Sequence, residues 1–252
     1  MRRISLLAVG VSTMLATALS GCSTADDQAS AITVFAAASL KPAFTEIAEQ
    51  FKTDNPGVDV EFDFGGSSAL ATQLTEGASA DVFASADTAQ MDKVVQAGLV
   101  DGTPTDFAAN TLVIVTAPDN PKHVESFADL ARPELNVVVC QAPVPCGAAT
   151  RQLEDNTAVH LNPASEEPSV TDVLTKVTSG QADAGLVYVT DALNAGDAVT
   201  TVRFPESDDV VNVYPIAVLQ KAADTDLAQK FVDAVTGEAG QKVLDRAGFA
   251  KP

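Results

Sequence analysis

The sequence predicts an α/β protein with mainly parallel sheets, and three observations predict it. Short apolar runs rich in β-branched residues alternate with amphipathic helical stretches from Ile32 to the C-terminus. Glycine, proline and asparagine punctuate the boundaries between them. At several of these boundaries a strand passes into a helix through alanine, glycine and serine alone.

The elements follow in order. Arg2 and Arg3 precede an apolar run from Ile4 to about Leu19 that closes on small residues, so residues 1–21 read as a signal peptide. The run is too short and wrongly flanked for a membrane span. Leu19-Ser20-Gly21-Cys22 resembles a bacterial lipobox, which implies cleavage before Cys22 and a lipid on its thiol. The plainer alternative is an ordinary secretory signal that happens to end in cysteine. Residues 22–30 then form a polar, lipid-anchored tether.

Ile32–Ala36 is a strand, and Phe44, Ile47, Ala48 and Phe51 fall on one face of a helix that stops at Asp54-Asn55-Pro56-Gly57. Val58, Val60, Phe62 and Phe64 alternate with acidic residues as in a half-buried strand. A helix from about Ser68 to Glu76 ends at Gly77, residues 80–87 read as a short strand, and a helix from about Thr88 to Gln96 ends near Gly98. Residues 111–118 and 135–141 are β-branched strands with a short helix (Ser126–Ala131) between them. Helices near 147–155 and 170–179, a strand over 184–190 and a long strand over 210–220 follow. Pro215 in that last strand suggests an edge or a crossing point. Two helices near 225–236 and 238–247 complete the chain.

Charge and cysteine content narrow the function. The formal net charge is −19, and residues 1–21 hold two arginines and no acid, so the processed chain sits near −21. That surface excludes nucleic acid and an anionic membrane patch as partners, leaving the lipid as the one link to a membrane. Of the three cysteines, Cys22 is the lipidation candidate, which leaves Cys140 and Cys146. In an oxidising compartment the pair is expected to bridge; the alternative is two buried free thiols.

The boundaries that could carry chemistry are FAAASL (35–40), FGGSSAL (64–70) and CQAPVPCGAAT (140–150), with EEPSVTDVL (166–174) as a fourth that lacks a strong strand before it. Each places free backbone N–H groups at a helix start, where the helix dipole favours an anion. A serine there often does no more than cap its own helix, but four such turns, small enough for close approach, point to an oxyanion site. The enzymatic rival is a serine hydrolase using Ser67, since Gly65-Gly66-Ser67-Ser68-Ala69 nearly fits a nucleophile elbow. It lacks the final glycine, and the only histidines, His123 and His160, stand far from the C-terminus where that fold keeps its base. Two scattered histidines also give no cation-binding motif.

At these turns the chain resembles the periplasmic molybdate-binding proteins of ABC importers, particularly their actinobacterial lipoprotein members. The resemblance runs over nearly all of residues 31–252 and is carried by VFAAASL, GGSSALATQL, ADVFASADTAQM, VPCGAATRQL, SVTDVLTKV, AGLVYVTDA and the closing GFAKP, in that order. It implies a type II periplasmic-binding-protein fold: two α/β lobes around a ligand cleft, joined by two crossing strands. Lobe one would be 31–112 plus 212–252 and lobe two 113–211, with crossings in Thr111–Val115 and Val213–Val218. It also implies a ligand set for molybdate or tungstate. Ser39 and Ser67 would give hydroxyl and backbone N–H groups, Cys146 and Val170 backbone N–H groups, and Tyr188 its phenol. The expected protein is a monomeric receptor, not an enzyme and without a cofactor, that serves a membrane permease and its ATPase. A receptor for another tetrahedral oxyanion such as sulfate is the alternative within the class. Cysteine at 146 departs from the smaller residues common in the family, but a backbone donor survives any side chain.

Overall fold

A computed structural model describes residues 30–252; the expected signal peptide, the lipidation candidate Cys22 and nearly all of the expected tether lie outside them. Among the described residues no helix is long and apolar enough to cross a membrane.

Two five-stranded sheets organise the chain. The first contains β1 (Ser30–Ala37), β2 (Val58–Gly65), β3 (Val82–Ala84), β4 (Thr105–Asn110) and β10 (Asn212–Val218), in the order β2-β1-β3-β10-β4. The second contains β5 (Leu112–Thr116), β6 (Val137–Cys140), β7 (Ser165–Glu167), β8 (Ala184–Tyr188) and β9 (Thr200–Val202), in the order β7-β6-β8-β5-β9. The expectation of mainly parallel sheets needs correction. Pairings β1–β2, β1–β3, β6–β7 and β6–β8 are parallel, whereas β10 and β5 run antiparallel to both of their neighbours. The reason is connectivity: β4 leads into β5 through Thr111 alone, so the chain changes sheets, and β10 brings it back.

Pro215 is not on an edge. It lies in β10, one strand in, where the register with β4 shifts at Tyr214/Pro215. A bulge is where a residue without an N–H fits inside a sheet, and the Pro215 carbonyl still accepts the N–H of Ser85.

Helices flank both sheets: α1 (Lys41–Asp54), α2 (Ser67–Thr75), α3 (Thr88–Gln96), α4 (Pro145–Thr157), α5 (Val170–Thr178), α6 (Val189–Ala195), α7 (Thr225–Thr236) and α8 (Glu238–Arg246). The predicted apolar face of α1 is buried as Phe44, Ile47, Ala48 and Phe51. Phe44 anchors it among Phe62, Phe107 and Phe231, with ring centroids 5.8 to 6.3 Å away. Asn55 ends the helix, its N–H and its side-chain amide both donating to the Phe51 carbonyl.

Four elements went unread in the sequence. β4, β7 and β9 are short and polar or alanine-rich, and α6 follows β8 so directly that VYVT reads as strand. Its start is fixed by Asp191, whose carboxylate accepts the Tyr188 N–H at 3.2 Å.

Candidate oxyanion-binding site

In an open α/β sheet, ligands bind beyond the carboxyl ends of the parallel strands, where helices begin. Five such ends converge here. Ser39 lies in the 3-10 turn Ala38–Leu40 that follows β1, and Ser67 is the first residue of α2 after β2. Cys146 is the second residue of α4 beyond β6, Val170 the first of α5 beyond β7, and Tyr188 the last of β8. A helix leaves the N–H groups of its first positions without intrahelical partners, and Pro145, ahead of Cys146, has no N–H to compete.

All five residues line one cavity together with Ala37, Ala38, Ala86, Val144 and Pro145. Each is at most 4% exposed. The cavity volume is about 10 Å³, about the room one water needs and far below the roughly 300–1,000 Å³ of pockets for drug-sized ligands, so a compact group could enter only as its walls part slightly. No charged side chain lines it.

The hydroxyls are held from behind. Ser67 Oγ accepts the Ala86 N–H at 2.9 Å, which leaves the Ser67 proton to be donated elsewhere. Ser39 Oγ is 3.0 Å from the phenol of Tyr214. Tyr214 is fully buried and stands edge-on to Tyr188, with centroids 5.9 Å apart. Among the described residues the buried Tyr188 hydroxyl meets no partner in hydrogen-bonding geometry, the Tyr214 phenol being near enough only to act on it electrostatically. Such groups are rare and call for an explanation; a ligand in the cavity that this phenol lines provides one.

Electrostatics keeps these donors neutral. Burial, together with Tyr214, Asp87 and Asp191 nearby, holds the Tyr188 phenol well above its ordinary value. Burial likewise raises Tyr214. The basic residues nearest in sequence are not part of the lining. Arg151 is engaged by Glu154 and Glu166, both at 2.9 Å. Lys41 is exposed, at a wider space shared with Asp63 and Asp172.

The loop that presents Cys146 is closed by a disulfide: Cys140 and Cys146 are bonded, with Cα atoms 5.7 Å apart. Gly147 allows the loop to fold this tightly, since a Cβ there would lie 1.9 Å from the Gln141 carbonyl oxygen. His123 and His160 are both exposed and neither lines the cavity. Sequence reasoning missed Tyr214 and Ala86. The FASAD stretch that carries Ala86 has the same small-residue character as the other turns, whereas nothing local marks Tyr214.

Two mixed sheets with flanking helices, closing on a cleft of helix starts, define a solute-binding protein of the type II periplasmic class. The chain belongs to the bacterial extracellular solute-binding protein family, whose model matches residues 32–250. It is 61% identical over 261 residues to a molybdate-binding protein of Mycobacterium tuberculosis, covering 100% of both chains. The periplasmic molybdate-binding protein of Azotobacter vinelandii shares the fold, with a TM-score of 0.76 at 22% identity over 88% of this chain and 99% of that one. So does the sulfate-binding protein SubI of M. tuberculosis, with a TM-score of 0.78 at 21% identity over 88% and 87%. The family is one of binding proteins, so the hydrolase reading of Ser67 is set aside and the chain is not an enzyme.

Beneath the site, burial lifts the Asp191 carboxyl from 3.8 to about 7, against the pull of the Tyr188 N–H. Folding therefore favours its protonated form. That contribution is complete below about pH 4 and is lost as pH rises through 7. Measured by denaturant unfolding, the stability of wild type relative to Asp191→Asn should fall by at most about 4 kcal/mol from pH 4 to 7 and then level off. A difference that stays flat across this interval would contradict the assignment.

Proposed function

We propose that this chain is an extracytoplasmic receptor that captures molybdate, and tungstate through the same donors, and delivers it to a permease driven by an ATPase. The observation that carries the reading is the cavity itself: five buried residues from five strand ends of two sheets, donors by position or chemistry, with no charge among them. The identity to the mycobacterial molybdate-binding protein, over full length, supports the same ligand.

In this reading lobe one (31–112 plus 212–252) and lobe two (113–211) close on the anion. Ser39 and Ser67 give hydroxyl and N–H groups, Cys146 and Val170 give N–H groups, and Tyr188 gives its phenol. A hydrogen bond to an ionised acceptor is roughly twice as strong as a neutral one, so a fixed neutral set suffices and no flexible ammonium need be buried. The receptor acts as a monomer and needs no cofactor; molybdate is its cargo.

Calorimetric titration with molybdate, tungstate, sulfate and phosphate tests this. Molybdate and tungstate should bind, and sulfate and phosphate should bind more weakly. Ser39→Ala, Ser67→Ala and Tyr188→Phe should each weaken molybdate binding roughly 10- to 150-fold, the worth of one buried bond to a charged group. Lys41→Ala and Arg151→Ala should stay within about three-fold, because exposed charges are screened. No heat with any oxyanion, or a loss confined to the two basic residues, would sink the proposal; a preference for sulfate would leave the class and change the cargo.

We also propose that the processed chain begins at a lipidated Cys22, supported by the Leu-Ser-Gly-Cys sequence. Wild-type protein should partition into the detergent phase and Cys22→Ala should not; equal recovery of the two would remove the anchor.

A further inference from the structure

Two contacts span the cleft beside the cavity, and neither residue on the first sheet's side of them lines it. Gly66, the residue capping α2, lies against Pro168 in the turn from β7 to α5. A Cβ at Gly66 would stand 2.3 Å from the Pro168 carbonyl oxygen and 3.4 Å from Val144 Cγ1. The backbone at Gly66, φ −65° and ψ 131°, is open to any residue. Glycine is required there by the approach of the opposite sheet's elements and not by its own conformation. On the other flank Gln90 of α3, itself buried, donates from Nε2 to the Pro143 carbonyl at 3.0 Å. Lys93 Nζ bonds Gln90 Oε1 at 2.6 Å and so fixes which end of the amide faces Pro143.

Their positions along the chain give these contacts their meaning. Gly66 immediately precedes Ser67, Pro168 precedes Val170 by two residues, and Pro143 precedes Cys146 by three. The Gly66–Pro168 contact therefore joins the segment that presents Ser67 to the one that presents Val170, and the Gln90–Pro143 bond ties α3 to the segment that presents Cys146. Helix α5 also packs against the turn that carries Ser39.

We propose that Gly66 and Gln90 set how far the two halves close, and hence the width of the oxyanion cavity: Gly66 is the stop and the Gln90–Pro143 bond is the latch. The proposal rests on the oxyanion reading above. Adding a Cβ at 66 would force the Pro168 carbonyl back by at least about 0.7 Å to restore even a 3.0 Å contact. That retreat draws the α5 donors away from Ser67. Hydrogen bonds near 2.9 Å weaken quickly when stretched by such a distance, and a smaller ion, with less reach, loses more than a larger one. Gly66 thus becomes a specificity-determining position that does not touch the ligand.

The test compares wild type, Gly66→Ala and Gln90→Met for molybdate and sulfate affinity, for molybdate release by stopped flow, and for ligand-induced contraction by small-angle X-ray scattering. Ligand-free Gly66→Ala should fold, since alanine fits its φ and ψ, and should be more expanded than ligand-free wild type because the Pro168 carbonyl must stand back from the new Cβ. It should release molybdate at least about 10-fold faster, the loss of one bond to a charged acceptor. It should also contract less on binding and lose more affinity for sulfate than for molybdate. Gln90→Met should release molybdate about 2- to 10-fold faster, as expected for one neutral bond. Wild-type release and full contraction in both variants would overturn the proposal while leaving the oxyanion reading intact. Failure of wild type to bind any oxyanion would overturn that reading, and this one with it. Should Gly66→Ala not fold, a wild-type release rate in Gln90→Met overturns the proposal on its own.

Discussion

Backbone N–H groups at the first turn of a helix have no partner within the helix, and the rest of this structure depends on that fact. They must meet water, a side chain or a ligand. Here helix starts from two sheets face one another across a small cavity, and the lining offers side-chain donors without offering charge. A group that satisfies them all must be compact and rich in acceptors. A tetrahedral oxyanion meets that description, and a cation does not.

The surroundings follow from the same constraint. Where the chain leaves β1 and β2 the residues are alanine, glycine and serine; larger ones in the lining would fill the cavity, and a Cβ at Gly66 would meet the Pro168 carbonyl oxygen. Tyr214 supports the Ser39 hydroxyl, Ala86 supports the Ser67 hydroxyl, and Asp191 holds the N–H of Tyr188 while its phenol remains free. The disulfide and Gly147 tie down the loop that ends at Cys146, which among the helix starts at the cavity follows its strand after the longest irregular stretch. A net charge of −19 does not oppose the proposed anion site, because a site built from local dipoles can act against the overall field.

Much of this was legible in the sequence. The five residues that the family resemblance named all line the cavity; Ser39, Ser67, Cys146 and Val170 sit at strand-to-helix turns that small residues, serine or proline mark in one dimension, whereas the boundary at Tyr188 reads as continuous strand and only the resemblance pointed to it. The amphipathic face of α1 was legible as a local period. What escaped was set by distant partners. β4, β7 and β9 are strands because longer neighbours pair with them, and their own residues carry little pattern. The antiparallel runs of β5 and β10 come from the exchange of the chain between sheets, which no local window records. Tyr214 is read as an ordinary residue of a buried strand until the fold brings it 3.0 Å from Ser39, 175 positions away. Gly66 looks like half of a flexible pair until Pro168 is seen against it.

The most direct test of the central claim is a crystal structure of the protein with molybdate, the metal located by its anomalous scattering. The account predicts one ion inside the cavity, its oxygens about 2.6–3.2 Å from the backbone nitrogens and hydroxyls of Ser39, Ser67, Cys146, Val170 and Tyr188. No lysine or arginine nitrogen should lie within that distance. An ion held instead by Lys41, Arg151 or another cationic side chain, or one bound outside the cavity, would contradict it.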